Sequence, residues 1–130
     1  MTECKPYTAP CIAGSKMSKF RGNPLSNPIE YRHIVGTLQY VTLTKLDIAY
    51  SVNQLCQHMH APTSVHLTVA KRVLRYLKGS VDLGLQYGKG SLTITGYCDS
   101  DWAGNPDDRR STTRFGIFLG SNLIFWSAKK

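Results

Sequence analysis

The hydrophobic period of this chain changes at Gly79 from helical to alternating, so the two halves cannot belong to one kind of layer. Upstream, Ile34, Val35, Leu38 and Val41 fall on one helical stripe while Arg32, His33 and Gln39 fall away from it. Asn27 as a cap, Pro28 in the first turn and Glu30 at the positive end of the dipole predict the start of this helix. Gly36 is expected to let another helix approach closely. A second pattern begins at Asp47 and runs through Ile48, Val52, Leu55 and Met59, predicting a helix that ends before Pro62. Thr63 is a cap for a third helix with core face Val69, Ala70, Val73, Leu74 and Leu77, and Gly79 is its expected terminator.

Downstream, Leu83, Leu85 and Tyr87 alternate, as do Leu92, Ile94 and Gly96 after the Gly88-Lys89-Gly90 turn, which predicts a hairpin. Ile94 to Asp99 reads as a core strand, with a turn at Gly104 to Asp108 and two more strands near 115–119 and 123–127 meeting at Gly120-Ser121-Asn122. Three or more antiparallel strands without a helix to cover them suggest a partial sheet. Residues 1–27 carry Pro6, Pro10, Gly14, Gly22 and Pro24 with no sustained apolar period, the pattern of an extended connector that needs something to lie against. The predicted class is therefore α+β, with a connector at 1–27, a small three-helix bundle at 28–79 and an antiparallel sheet at 83–130.

A net charge of +8 favours phosphate backbones or anionic membrane as partners. Through Gly88 there are ten Lys and Arg against four Asp and Glu, so most of the excess sits in the first part. No apolar run approaches the roughly 20 residues of a bilayer span, and the N-terminus lacks signal-peptide order, so a soluble intracellular protein of unspecified compartment is expected. Cys4, Cys11, Cys56 and Cys98 form no C-x-x-C pair and read as reduced thiols. His58, His60 and His66 suggest a metal site only weakly, since polar helix ends commonly carry histidine.

Three groups of residues carry candidate chemistry. Lys71, Arg75 and Lys78 recur at four and three along the third helix, with Arg72 beside them; this is either a phosphate-contacting stripe or a solvated helix face. Asp99 ends an apolar strand ahead of a turn, a position suited to a divalent metal, and Asp101, two residues on, either joins it or merely solubilises the turn. Trp102, Trp126, Phe115, Phe118 and Phe125 are either stacking platforms or sheet core, and core is the working expectation.

The run Tyr31 to Tyr40, then Asp47 to Gln54, Ala61-Pro62-Thr63 and Arg72 to Gly79, resembles the region after the polymerase site in copia-type retrotransposon reverse transcriptases. Gly96 to Gly104, Arg109 to Thr113 and Trp126 to Lys130 resemble the opening of that family's ribonuclease H domain. The resemblance implies a thumb-like bundle that grips template and primer, followed by the N-terminal strands of a ribonuclease H-like domain. It also implies that Asp99 matches the first metal-binding aspartate, with Mg2+ the cofactor of the parent enzyme and none stably bound here. The paired polymerase aspartates would precede Met1 and the remaining ribonuclease H carboxylates would follow Lys130. The expected partners are RNA–DNA hybrid or other duplex, bound weakly and without sequence preference, and the missing parts of the polyprotein. Lys45-Leu46 stands where the family has Arg-Pro, and Arg114 replaces a glycine, which matters if that position needs positive φ. Two alternatives stay open: a nuclease completed by oligomerisation, and an interaction module pairing through its sheet edge.

Overall fold

The computed structural model describes residues 4–12, 14 and 16–130; Met1–Glu3, Ala13 and Ser15, part of the expected connector, lie outside the described residues. Helix α1 spans Ile29–Val41, a 3-10 turn at Leu46–Ile48 leads into α2 at Ala49–Cys56, and α3 spans Ser64–Gly79. The strands are β1 (Ile94–Ser100), β2 (Thr113–Leu119) and β3 (Asn122–Lys129), in one antiparallel sheet of order β1-β2-β3. The fold is thus mixed helix and sheet, as the change of period predicts.

The three helices share one core. Tyr31, Val35, Leu38, Ile48, Leu55 and Val73 are each exposed by 1% or less, and a fully buried apolar side chain of this size stabilises by roughly 1.5–3 kcal/mol. Tyr31 is the largest of them, and its hydroxyl donates to the Leu55 carbonyl at 2.7 Å, so its one polar atom is satisfied between α1 and α2. Met17 of the lead-in packs into the same core. The caps fall at or one residue from the predicted positions: Thr63 caps α3 as expected, while Pro28 is the N-cap of α1 and Ser80, one residue past Gly79, the C-cap of α3. Asn27 Oδ1 accepts from the Ile29 N–H at 3.0 Å. Thr63 forms a capping box whose return partner is His66 in place of the usual Glu or Gln.

Four expectations from the sequence need correction here. Helix α2 stops at Cys56 and is preceded by a 3-10 turn; neither Lys45, which caps that turn, nor Ile48, which caps the helix, makes a side-chain cap bond. Gly36 meets no neighbour within 4 Å of a would-be Cβ, so no helix approaches it. The close approach is instead at Gly79, where a Cβ would lie 2.7 Å from Pro6 Cβ. The predicted hairpin over 83–96 is absent up to Ile94. Leu83, Tyr87 and Leu92 are exposed, so their alternation has no core to face. Side-chain bonds hold that segment instead: Tyr87 Oη donates to the Leu123 carbonyl at 2.8 Å, and Asn122 exchanges two bonds with the Gly88 backbone.

The fourth correction concerns the sheet. Every residue of β1 is exposed, so the expected core strand is an open edge. Of the five aromatics expected in a core, Trp102 is 93% and Phe125 54% exposed, and the other three are only half-buried. The sheet and the β1–β2 loop meet the helices through side-chain amides and one indole N–H. Asn53 Nδ2 donates to the Ala128 carbonyl at 2.8 Å, Asn105 Nδ2 to Gln57 Oε1 at 3.0 Å, and Trp126 Nε1 to the Thr42 carbonyl at 2.8 Å. Arg114 lies within β2 and has no positive φ, so its place in the strand needs no glycine.

The lead-in crosses the start of α3 at a pair of stacked imidazoles, His58 and His66, with centroids 3.9 Å apart. His66 Nδ1 accepts from the Thr63 N–H at 3.0 Å, leaving Nε2 to donate to the Ser18 carbonyl at 3.2 Å, which requires a neutral ring. Burial, and then the neighbouring His66, push the His58 pKa down from 6.5 to about 4, with Asp107 pulling weakly the other way. The unfolded chain takes up this proton on falling below pH 6.5 while the folded chain refuses it until about pH 4. Stability is therefore present in full above pH 6.5 and declines between those values. Urea midpoints measured from pH 7 to 4 should fall, and His58→Phe should flatten the decline; an equally steep acid limb in that variant removes His58 as its cause.

Candidate nucleic-acid interface

Helix α3 carries all four cations singled out in the sequence, and the structure gives each a partner. Lys71 Nζ lies 3.6 Å from Glu30, an exposed pair with little energetic weight. Arg75 Nε donates to the Lys5 carbonyl at 2.8 Å and Nη1 to the Tyr7 hydroxyl at 3.0 Å. Lys78 Nζ donates to the Cys4 carbonyl at 2.9 Å. The guanidinium carbons of Arg72 and Arg75 lie 4.2 and 4.0 Å from the centroid of the Tyr7 ring, so a single aromatic ring serves two cations. The Tyr7 N–H closes the contact on the Arg75 carbonyl at 3.3 Å. Arg72, Arg75 and Lys78 thus share residues 4–7 of the lead-in, which cross the C-terminal part of α3, while Lys71 pairs with α1. Tyr7 was not singled out from the sequence; its only local signal is an aromatic within a proline-rich, polar stretch.

The two candidate carboxylates turn to different partners. Asp99 stands opposite Arg114 in the β1–β2 register, and the two side chains form an exposed ion pair at 3.1 Å. Arg114 also reaches over the Tyr50 ring of α2, 5.0 Å from its centroid. Asp101 Oδ1 accepts from the Thr112 backbone N–H, and the Asp101 N–H donates to the Thr112 carbonyl at 3.1 Å, so Asp101 closes the base of the β1–β2 loop. Gly104 folds against this carboxylate so tightly that any Cβ there would overlap it.

No group of three or more His, Cys, Asp or Glu that could hold a metal stands among the described residues. Asp99 borders a largely apolar groove of about 540 Å3 walled by Tyr50, Tyr97, Phe115 and Phe118. One exposed carboxylate already neutralised by a guanidinium does not fit a divalent ion, which needs several oxygen ligands and no adjacent cation. No helix among the described residues is long and apolar enough to cross a membrane.

Comparison with known proteins gives the family. The chain is 47% identical over 131 aligned residues, its full length, to the retrovirus-related Pol polyprotein from transposon RE1 of Arabidopsis thaliana, and 45% identical to that from transposon RE2 of the same plant. The match covers 9% of each of those polyproteins. It is 48% identical over the same span to an uncharacterized mitochondrial protein of Arabidopsis thaliana, of which it covers 54%. The chain belongs to the retrovirus-related Pol polyproteins of transposons. No family model matches it, and no solved structure is similar to it.

The exposure of the Asp99–Arg114 pair sets its expected energetic weight. A double-mutant cycle with Asp99→Ala and Arg114→Ala, read by urea unfolding, should return a coupling of under about 1 kcal/mol. A coupling several times larger would make the pair a structural anchor instead of a surface contact.

Proposed function

We propose that this chain is the part of a copia-type Pol polyprotein that joins reverse transcriptase to ribonuclease H. Residues 28–79 correspond to a thumb-like bundle, and residues 83–130 to the first strands of a ribonuclease H-like domain. The parent activity is RNA-directed DNA synthesis with Mg2+-dependent cleavage of RNA in the hybrid. The chain's own share is weak, sequence-independent binding of RNA–DNA hybrid through Lys71, Arg72, Arg75 and Lys78, without catalysis. The observation that carries this reading is the full-length match to transposon Pol polyproteins. The net charge of +8 and the cation-lined face of α3 support it in physical terms. Cations that now donate to backbone carbonyls have geometry suited to phosphate oxygens, and each exchange releases counterions without reading bases.

A second reading rests on β1. Each of its residues is exposed, and among the described residues it pairs with one strand only, β2. Such an edge is able to accept a strand from another chain. Light scattering separates the two, since a strand-pairing module gives a mass that grows with concentration.

Changing Lys71, Arg72, Arg75 and Lys78 together to Ala should weaken binding to an RNA–DNA hybrid at low salt and reduce the slope of log affinity against log salt by up to about 3.6. Fluorescence anisotropy at several salt concentrations measures both quantities. Equal affinity and slope in the two proteins would remove α3 from the interface.

A further inference from the structure

We propose that Arg72 and Arg75 form a stacking slot for an unpaired nucleobase, and that Tyr7 fills this slot as a pseudo-ligand supplied by the chain itself. The inference rests on α3 being the nucleic-acid face and adds to it a base-dependent component.

Residues 4–7 present to α3 the groups that a nucleotide would present. The Tyr7 ring offers a flat π surface to two guanidinium groups at 4.2 and 4.0 Å, the interaction that guanidinium also makes with a base. Beside it, the carbonyl oxygens of Lys5 and Cys4 accept from Arg75 Nε and Lys78 Nζ at 2.8 and 2.9 Å, in the role of the phosphate oxygens. Ring and acceptors come from four consecutive residues, so one short segment supplies both kinds of contact.

The hold is also of a kind that a polyanion can replace. The lead-in is itself cationic, with Lys5, Lys16, Lys19 and Arg21 against Glu3. It grips α3 through π and carbonyl contacts, and a phosphate is a stronger acceptor than a neutral carbonyl. Arg72 Nε is buried without a hydrogen-bond partner among the described residues, so the closed arrangement leaves one donor of the slot unmet. Gly79 is what permits the closure, since only a residue without Cβ lets Pro6 cross the end of α3.

The test compares two fluorescein-labelled 12-mers at low salt, oligo-dT and an abasic strand with the same phosphates. Tyr7→Ala empties the slot directly. Gly79→Ala displaces Pro6 while improving helix propensity, so it opens the slot without touching any cation or endangering α3. Each variant should bind oligo-dT about tenfold more tightly than the unaltered protein, the order of one stacked base. The abasic strand gains only the phosphate contacts released from the Lys5 and Cys4 carbonyls, so its gain should be clearly smaller. Arg72→Lys with Arg75→Lys, added to Tyr7→Ala, should abolish the gain because charge is kept and the planar surface is lost. No gain, or an equal gain on both strands, overturns the slot. If the four-alanine change on α3 weakens hybrid binding while Tyr7→Ala gives no base-dependent gain, the slot alone fails. If the four-alanine protein binds hybrid unchanged, the reading of α3 fails first.

Discussion

Helix α2 has to satisfy two neighbours of opposite chemistry within eight residues. Val52 and Leu55 face the bundle core, where they are almost wholly buried, while Asn53 and Gln54, joined by Gln57 at the C-cap, turn toward the sheet and the β1–β2 loop. The bundle is held by apolar burial, which is strong and tolerant of direction. The seam is held by side-chain amides, which are individually worth about 1 kcal/mol but sensitive to angle. The sheet's orientation therefore depends on hydrogen bonds, and its attachment is weaker than the cohesion of the helices. Trp126 adds a large ring to this seam, with its N–H fixed on the Thr42 carbonyl at the end of α1.

Charge is distributed on the same principle of partial satisfaction. Three of the α3 cations, Arg72, Arg75 and Lys78, are not dispersed in solvent, because an extended segment some seventy residues earlier lies across them with its carbonyls and one aromatic ring. Asp99 is likewise engaged, by Arg114, and Asp101 by the Thr112 backbone. Each candidate group thus has a role within the fold as well as the chemistry it offers a partner. For the α3 cations the two are compatible, since neutral oxygens yield to charged ones. For Asp99 they compete, since a guanidinium repels the ion that the carboxylate would help to bind.

How much was legible follows the range of each interaction. Thr63, a local cap, and the apolar stripes through Val35, Leu38, Val52, Leu55, Ala70 and Val73 were readable because helix periodicity is encoded within a few residues. The strands flanking Gly120-Ser121-Asn122 were readable for the same reason, and the positive φ at Gly120 supports that turn. The hairpin before Ile94 misled because alternation predicts a strand only when one face has something to cover, and Leu83 and Leu92 cover nothing. His66 in the capping box was hidden by its residue type, and Tyr7 by separation, since nothing near it in sequence names a partner on α3. The four cations themselves were evident; that they already had partners was not.

Gly79 looks like an ordinary helix stop and acts as a crossing point for another stretch of backbone. Anyone redesigning α3 for greater thermal resistance by helix preference alone would exchange this residue early, since alanine is favoured over glycine in helices. Such an optimised protein would have a firmer helix and a detached leader, and its surface would differ from the natural one by far more than the single methyl group added.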